Sequence, residues 1–104
     1  MPDDIGATII SVAELCFGAR KSARPEATRR EIDAFLGPLG VLPFDRAAAE
    51  AYAQLRFDLE RAGRPIGERD LLIASIAVAR GLTVVTHNVS EFGRVPLLKT
   101  EDWL

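Results

Sequence analysis

The chain of 104 residues predicts an α/β domain of three layers (α/β/α), with helices on both faces of a short and mostly parallel sheet. Three observations lead to this prediction. Short apolar, β-branched runs alternate along the chain with segments of helical periodicity. The helical segment 71–79 is apolar except at Ser75, so it needs cover on more than one side. The run 82–86 is rich in β-branched residues and is typical of a buried strand.

The first predicted strand covers residues 7–10 and leads directly into a helix. Ser11 and Glu14 have the spacing of a capping box, which predicts Ser11 as the N-cap. The neighbours of Glu14 are mostly apolar, and they predict that this turn is largely buried. A buried carboxylate is costly unless it is paired or bound to a metal. The helix is expected to fray over residues 18–24.

The second helix is predicted over residues 25–36, where Pro25 suits the first helical position. Its apolar stripe consists of Ile32, Phe35 and Leu36. Residues 41–44 then form a short extended segment. Pro43 predicts that this segment is an edge strand, because proline cannot donate to a neighbouring strand.

Two longer helices follow. Asp45 is a suitable N-cap for a helix over residues 46–62, and residues 63–67 form a loop. The next helix covers residues 68–80 and ends at Gly81. After the strand at 82–86, the tail is expected to contain one helical turn near 90–92 and a last strand at 97–100. Four helices with only three or four short strands suggest that a strand is missing at the N-terminus.

Composition excludes several classes of protein. The 13 basic and 15 acidic residues give a net charge of −2, which is not that of a general nucleic-acid coating protein. One cysteine, Cys16, and one histidine, His87, exclude an internal disulfide and a Cys/His zinc site. No apolar run approaches the roughly 18 residues of a membrane span, and the first residues are acidic. We therefore expect one domain over residues 1–104 in the cytoplasm, with no membrane partner.

Three oxygen-bearing side chains are predicted just beyond the carboxyl ends of strands, where functional groups gather in open α/β sheets. They are Glu14, Asp70 and Asn88. Carboxylate and amide oxygens suit hard divalent cations such as Mg²⁺ and Mn²⁺. The hydroxyl groups of Thr8, Ser11 and Thr86 are expected near the same edge. Glu14, Asp70 and Asn88 also have purely structural interpretations. Glu14 can complete the capping box, Asp70 can complement the helix dipole, and Asn88 can be a turn residue.

Four segments occur in an order that is characteristic of a known family: residues 9–15, 45–59, 63–74 and 84–96. The third contains Asp70 followed by Leu-Leu-Ile-Ala. The fourth contains Thr86, His87 and Asn88, and shortly afterwards Glu91 and Phe92. Together they resemble the VapC-type PIN-domain ribonuclease toxins over almost the whole chain.

The resemblance implies a PIN-like fold and the toxin of a type II toxin–antitoxin system. Such a toxin is a Mg²⁺- or Mn²⁺-dependent endoribonuclease acting on structured RNA such as transfer RNA. A VapB-type antitoxin holds it inactive, and it forms a homodimer. Carried over by position, Glu14 corresponds to the second acidic residue of the family site and Asp70 to the third. Asn88 stands at the position of the fourth, and Thr86 matches a family hydroxyl on the same loop.

The sequence departs from the family pattern at its N-terminus. Family members begin with a strand that ends in the first acidic residue, followed by a helix, and neither is found here. Asp3 and Asp4 precede the first predicted strand and so would lie at the opposite end of the sheet. We therefore expect an N-terminally truncated domain, either a piece of a longer toxin or a short form with an incomplete site.

Two functions remain open at this point. The chain is either a metal-dependent endoribonuclease or a catalytically incomplete module that binds an antitoxin or a second toxin subunit. A nucleotide-binding α/β domain is poorly supported, because no glycine-rich loop follows a strand.

Overall fold

The computed structural model describes residues 6–85, 92–95 and 98–101. The chain divides into two compact units, Met1–Pro43 and Phe44–Leu104. Each unit is described by itself below.

The N-terminal unit contains two strands and two helices, in the order β1 (Gly6–Thr8), α1 (Ile9–Lys21), α2 (Pro25–Leu36) and β2 (Gly40–Leu42). The two strands are parallel, with Gly6 opposite Gly40 and Thr8 opposite Leu42. Helix α1 packs against α2 and both strands. The parallel pairing agrees with the predicted sheet.

Helix α1 begins one turn earlier than predicted, so the assignment of Ser11 as the N-cap is wrong. Thr8 is the N-cap, and its Oγ1 accepts a hydrogen bond from the backbone N–H of Ser11 at 3.1 Å. Ile9 and Ile10, which were expected in the first strand, are the first residues of the helix. A hydroxyl satisfies a free N–H of the first turn from either position. The earlier cap adds a turn of helical hydrogen bonds.

The predicted burial of the turn around Glu14 is also wrong. Glu14 is exposed, and so are Leu15 and Phe17, at 38% and 58% of their surface. Ala19 is the buried residue of this helix. Helix α1 packs within its unit along one side only, so an apolar sequence on the other side stays in contact with solvent.

Helix α2 has the predicted bounds, with Pro25 in its first turn. Of the predicted apolar stripe, Ile32 and Leu36 are half-buried, whereas Phe35 is 66% exposed. Residues 32 and 36 are one helical turn apart and share a face, whereas residue 35 lies at its edge. Strand β2 ends at Leu42, before Pro43 and two residues earlier than the predicted edge strand.

The C-terminal unit contains α3 (Arg46–Arg61), α4 (Glu68–Arg80), β3 (Thr83–Val85) and β4 (Lys99–Glu101). The strands are parallel, with Thr83 opposite Lys99. Both helices were predicted within one residue of their observed ends. Strand β3 lies within the predicted run 82–86. Strand β4 overlaps the predicted run 97–100 and extends one residue beyond it. Of the expected helical turn near 90–92, only Phe92 lies within the described residues, and it is helical.

The ends of α3 and α4 confirm two predicted caps. Asp45 Oδ1 accepts a hydrogen bond from the N–H of Ala48 at 3.0 Å, and so caps α3. Gly81 ends α4 with φ at 66°, in the left-handed region that glycine adopts without strain. Arg80 also donates from Nη2 to Asp45 Oδ2 at 3.2 Å, which joins the end of α4 to the start of α3.

The core of this unit lies where α3 packs against α4. Its buried residues are Leu55, Leu59, Leu71, Ala74, Phe92 and Val95. Helix α4 is covered on several sides, as the sequence predicted, since Ser75 and Ile76 are both fully buried. The Ser75 hydroxyl donates to the carbonyl oxygen of Leu71 at 2.6 Å, so this polar group is satisfied inside the core.

Candidate active site

Glu14 lies in the second turn of α1, directly after strand β1. Its side chain is exposed, which leaves a carboxylate in contact with solvent at low cost. The hydroxyl groups of Thr8 and Ser11, which were expected near the same edge, are hydrogen-bonded to each other at 3.1 Å. Their structural role is therefore to form the start of α1.

Asp70 is the third residue of α4 and is half-buried. Glu68 lies in the same first turn. The dipole at a helix N-terminus stabilises nearby negative charge. Carboxylate oxygens such as those of Asp70 suit a divalent cation.

Thr86, His87 and Asn88 lie outside the described residues. Strand β3, which precedes them, ends at Val85. Their proposed roles stay predictions, as does the convergence of Glu14, in the N-terminal unit, and Asp70, in the C-terminal unit, on one cation.

The chemistry of these donors fits a hard divalent cation. Glu14 and Asp70 offer carboxylate oxygens, and the remaining predicted ligand, Asn88, offers an amide oxygen. Within the part of the chain that the structure describes, no three His, Cys, Asp or Glu side chains lie close enough together to hold one metal ion.

A network of hydrogen bonds between α3 and the first residue of α4 was not predicted from the sequence. The Tyr52 hydroxyl donates to Glu68 Oε1 at 2.7 Å, and Arg56 Nη1 donates to the same hydroxyl at 3.1 Å. Arg56 Nε also donates to Glu60 Oε2 at 2.9 Å. The four-residue spacing of Arg56 and Glu60 could have indicated their contact. No sequence signal links Tyr52 to a residue on another helix.

These contacts change the acidity of Tyr52. The hydrogen bond to Glu68 and the partial burial of the ring both favour the neutral hydroxyl, and they raise the pKa of Tyr52. Arg56 favours the ionised form, but its effect is smaller. The hydroxyl is therefore protonated at neutral pH and available as a donor.

The sequence profile of the PIN domain matches residues 1–97. This chain belongs to the PIN-domain family. Within the family it groups with VapC proteins. It is 46% identical over 94 residues to the tRNA(fMet)-specific endonuclease VapC of Shigella flexneri, covering 90% of this chain and 71% of that protein. It is 41% identical over 99 residues to the ribonuclease VapC2 of Rickettsia felis, covering 95% of this chain and 74% of the relative.

Solved structures of VapC proteins share the fold. The VapBC2 complex of Rickettsia felis, crystallised with a DNA fragment from its promoter, matches with a TM-score of 0.91 at 41% identity. That match covers 96% of this chain and 75% of the other. The VapBC-1 complex of Haemophilus influenzae matches with a TM-score of 0.91 at 35% identity, covering 99% and 78%.

These matches confirm the predicted PIN-like α/β fold and the predicted membership of the VapC ribonucleases. PIN-domain ribonucleases depend on divalent metal ions, which agrees with the oxygen-only donors at Glu14 and Asp70. The prediction of a single domain over residues 1–104 stays a prediction.

Proposed function

We propose that this chain is the toxin of a type II toxin–antitoxin pair and hydrolyses RNA phosphodiester bonds with Mg²⁺ or Mn²⁺. The observation that carries the proposal is the 46% sequence identity to a tRNA(fMet)-specific endonuclease, over 90% of the chain. Transfer RNA is accordingly the first substrate to test. The metal ligands in this proposal are Glu14, Asp70 and Asn88, and Thr86 contributes a hydroxyl beside them.

The chemistry of phosphodiester cleavage supports carboxylate ligands. A bound divalent cation can neutralise charge that develops on the phosphate and can lower the pKa of a water molecule. The residues of this chain contribute by holding the ion and fixing its position. Asp70 lies in the first turn of α4, where the helix dipole favours negative charge, and Glu14 is exposed to solvent.

The protein partner in this proposal is a VapB-type antitoxin, because the structural neighbours are VapBC complexes. Exposed apolar side chains on the N-terminal unit support a protein partner. Phe17 and Phe35 expose 58% and 66% of their surface. A homodimer is proposed in addition, and sedimentation analysis of the purified chain would test it.

Among the helices that the structure describes, none is both long enough and apolar enough to cross a lipid bilayer. We propose the cytoplasm as the location of the protein, because an RNA substrate is found there. The free cysteine Cys16 is compatible with that reducing compartment.

Cleavage of RNA by the purified chain tests the proposal. We expect cleavage that needs Mg²⁺ or Mn²⁺ and stops when the metal is chelated. Asp70→Asn and Glu14→Gln should each lower the rate by at least about 100-fold, since residues that merely support metal ligands already cost about 10- to 100-fold. Asp58→Asn on α3 and Glu31→Gln on α2 are matched controls, with the same chemical change in the same unit, and should retain activity. Equal rates for Asp70→Asn and Asp58→Asn would exclude Asp70 from the mechanism.

A second candidate is a PIN domain with an incomplete site that only binds an antitoxin or a second subunit. The exposed apolar side chains of the N-terminal unit support this function. Intact RNA in the presence of either metal, together with retained antitoxin binding, would support this function over the first.

A further inference from the structure

A chain of hydrogen bonds connects the middle of α3 to the first residue of α4. It runs from Glu60 through Arg56 and Tyr52 to Glu68, with donor–acceptor distances of 2.9, 3.1 and 2.7 Å. The bond between Tyr52 and Glu68 is the one that crosses from one helix to the other. It joins residues that are 16 positions apart in the sequence.

The Tyr52 ring is held in place by packing. It lies against the core cluster of the C-terminal unit and makes an edge-to-face contact with Phe44, with 6.1 Å between ring centroids and 83° between ring planes. The Arg56 guanidinium lies 6.0 Å from its ring centroid on the same helix. The hydroxyl is therefore presented at a fixed point, and little side-chain entropy is lost when it binds Glu68.

The first turn of α4 follows a short loop. Gly67 is the N-cap of α4, and its lack of a side chain means that it makes no side-chain capping hydrogen bond. The loop before it is held by Arg94, whose Nη1 donates to the carbonyl oxygen of Pro65 at 3.2 Å. Glu68 is the first residue of the helix, and Asp70 follows two residues later in the same turn.

We propose that Tyr52 is a positioning residue for the metal site. By holding Glu68, it fixes the rotation and the first turn of α4, and so the place of the Asp70 carboxylate. The inference rests on the proposed function, because it assumes that Asp70 binds the cation. Tyr52 itself is not a ligand and does not touch the reacting atoms.

The test compares the affinity for Mn²⁺, measured by electron paramagnetic resonance of the free ion, in the full chain and four variants. Tyr52→Phe removes only the hydroxyl. Glu68→Ala removes the acceptor, whereas Glu68→Gln keeps an acceptor oxygen. The double variant Tyr52→Phe/Glu68→Ala completes a cycle, and Gln54→Ala is the matched control, since it deletes an exposed side chain that donates to Asp58 on the same helix.

We expect Tyr52→Phe and Glu68→Ala each to weaken Mn²⁺ binding by about three- to tenfold, the range of one lost hydrogen bond. The double variant should be no weaker than Glu68→Ala, because both changes remove the same contact. Glu68→Gln and Gln54→Ala should bind Mn²⁺ as the unchanged chain does. The kcat of RNA cleavage at saturating metal should be less affected than the metal concentration needed for half-maximal rate.

Three results would overturn the inference. If the unchanged chain binds Mn²⁺ and all variants bind it equally well, Tyr52 has no positioning role although the proposed function stands. If the unchanged chain binds no Mn²⁺, the metal site itself is wrong and the inference fails with it. A purely structural role would lower the thermal midpoint of Tyr52→Phe while leaving its Mn²⁺ affinity unchanged, and that too would contradict the inference.

Discussion

Tyr52 is the only tyrosine of the chain, so its ionisation can be followed without interference from another. In the folded state its hydroxyl donates to Glu68 and accepts from Arg56. The first contact favours the neutral hydroxyl and the second favours the anion, and the first is stronger. The pKa of Tyr52 is therefore raised above the value of about 10 that an exposed tyrosine has.

We predict that the pKa of Tyr52 lies above that of a free tyrosine and falls toward it in Glu68→Ala. Because the pKa is raised in the folded state, the neutral hydroxyl contributes stability that is fully present below about pH 10. This stability is lost as the pH rises through the folded value. The absorbance of tyrosinate during a titration of the folded chain measures this pKa. A pKa that does not change in Glu68→Ala would contradict the assigned hydrogen bond.

The residues of the candidate site were predictable from the sequence to different degrees. Asp70 could be placed at the start of a helix because the helix ends at 68 and 80 are clear from the apolar pattern and from Gly81. The exposure of Glu14 could not be predicted, because it depends on which side of α1 packs against α2. The contact of Tyr52 with Glu68 could not be predicted from the sequence either, because it depends on how α3 and α4 are aligned.

At the scale of the elements, replacing a glycine by alanine is expected to have opposite effects on stability at Gly81 and at Gly18. Gly81 ends α4 with a positive φ of 66°. Gly18 lies inside α1, and an added Cβ there would meet nothing within 4 Å. A side chain is thus strained at the first position and accommodated at the second.

We predict that Gly81→Ala destabilises the protein by about 1 kcal/mol, because a residue with a Cβ is strained in the left-handed region. Gly18→Ala should stabilise it by about 0.5–1 kcal/mol, because alanine is the better helix former and also restricts the unfolded chain. Urea unfolding of both variants beside the unchanged chain measures the two differences in the free energy of unfolding. Equal effects of the same sign would contradict the helix bounds assigned to α1 and α4.

The helices were predicted better than the strands. Helices α2, α3 and α4 each carry a terminal signal, at Pro25, Asp45 and Gly81, and their bounds follow from it. Each described strand has only three residues, too few to show an alternating pattern. At the start of α1 two hydroxyl residues, Thr8 and Ser11, could both serve as the cap. The sequence alone did not decide between them.

For the whole molecule, the sequence predicted the family, and the comparisons confirmed it. Hydrophobic periodicity alone led to an α/β domain. The order of the four segments, from 9–15 to 84–96, added the metal-dependent nuclease chemistry. The predicted ligands lie in both compact units, Glu14 in one and Asp70 in the other. The central claim is that these two carboxylates bind the same divalent cation.

Paramagnetic broadening of backbone amide signals by Mn²⁺ measures this claim most directly. At a small fraction of one equivalent, Mn²⁺ should broaden the amide signals of Glu14 and of Asp70 together. In Asp70→Asn the broadening at Glu14 should disappear along with that at residue 70, because one ion causes both. If Glu14 is still broadened in that variant to the same extent, or if only one of the two positions responds in the unchanged chain, the two carboxylates do not share a cation.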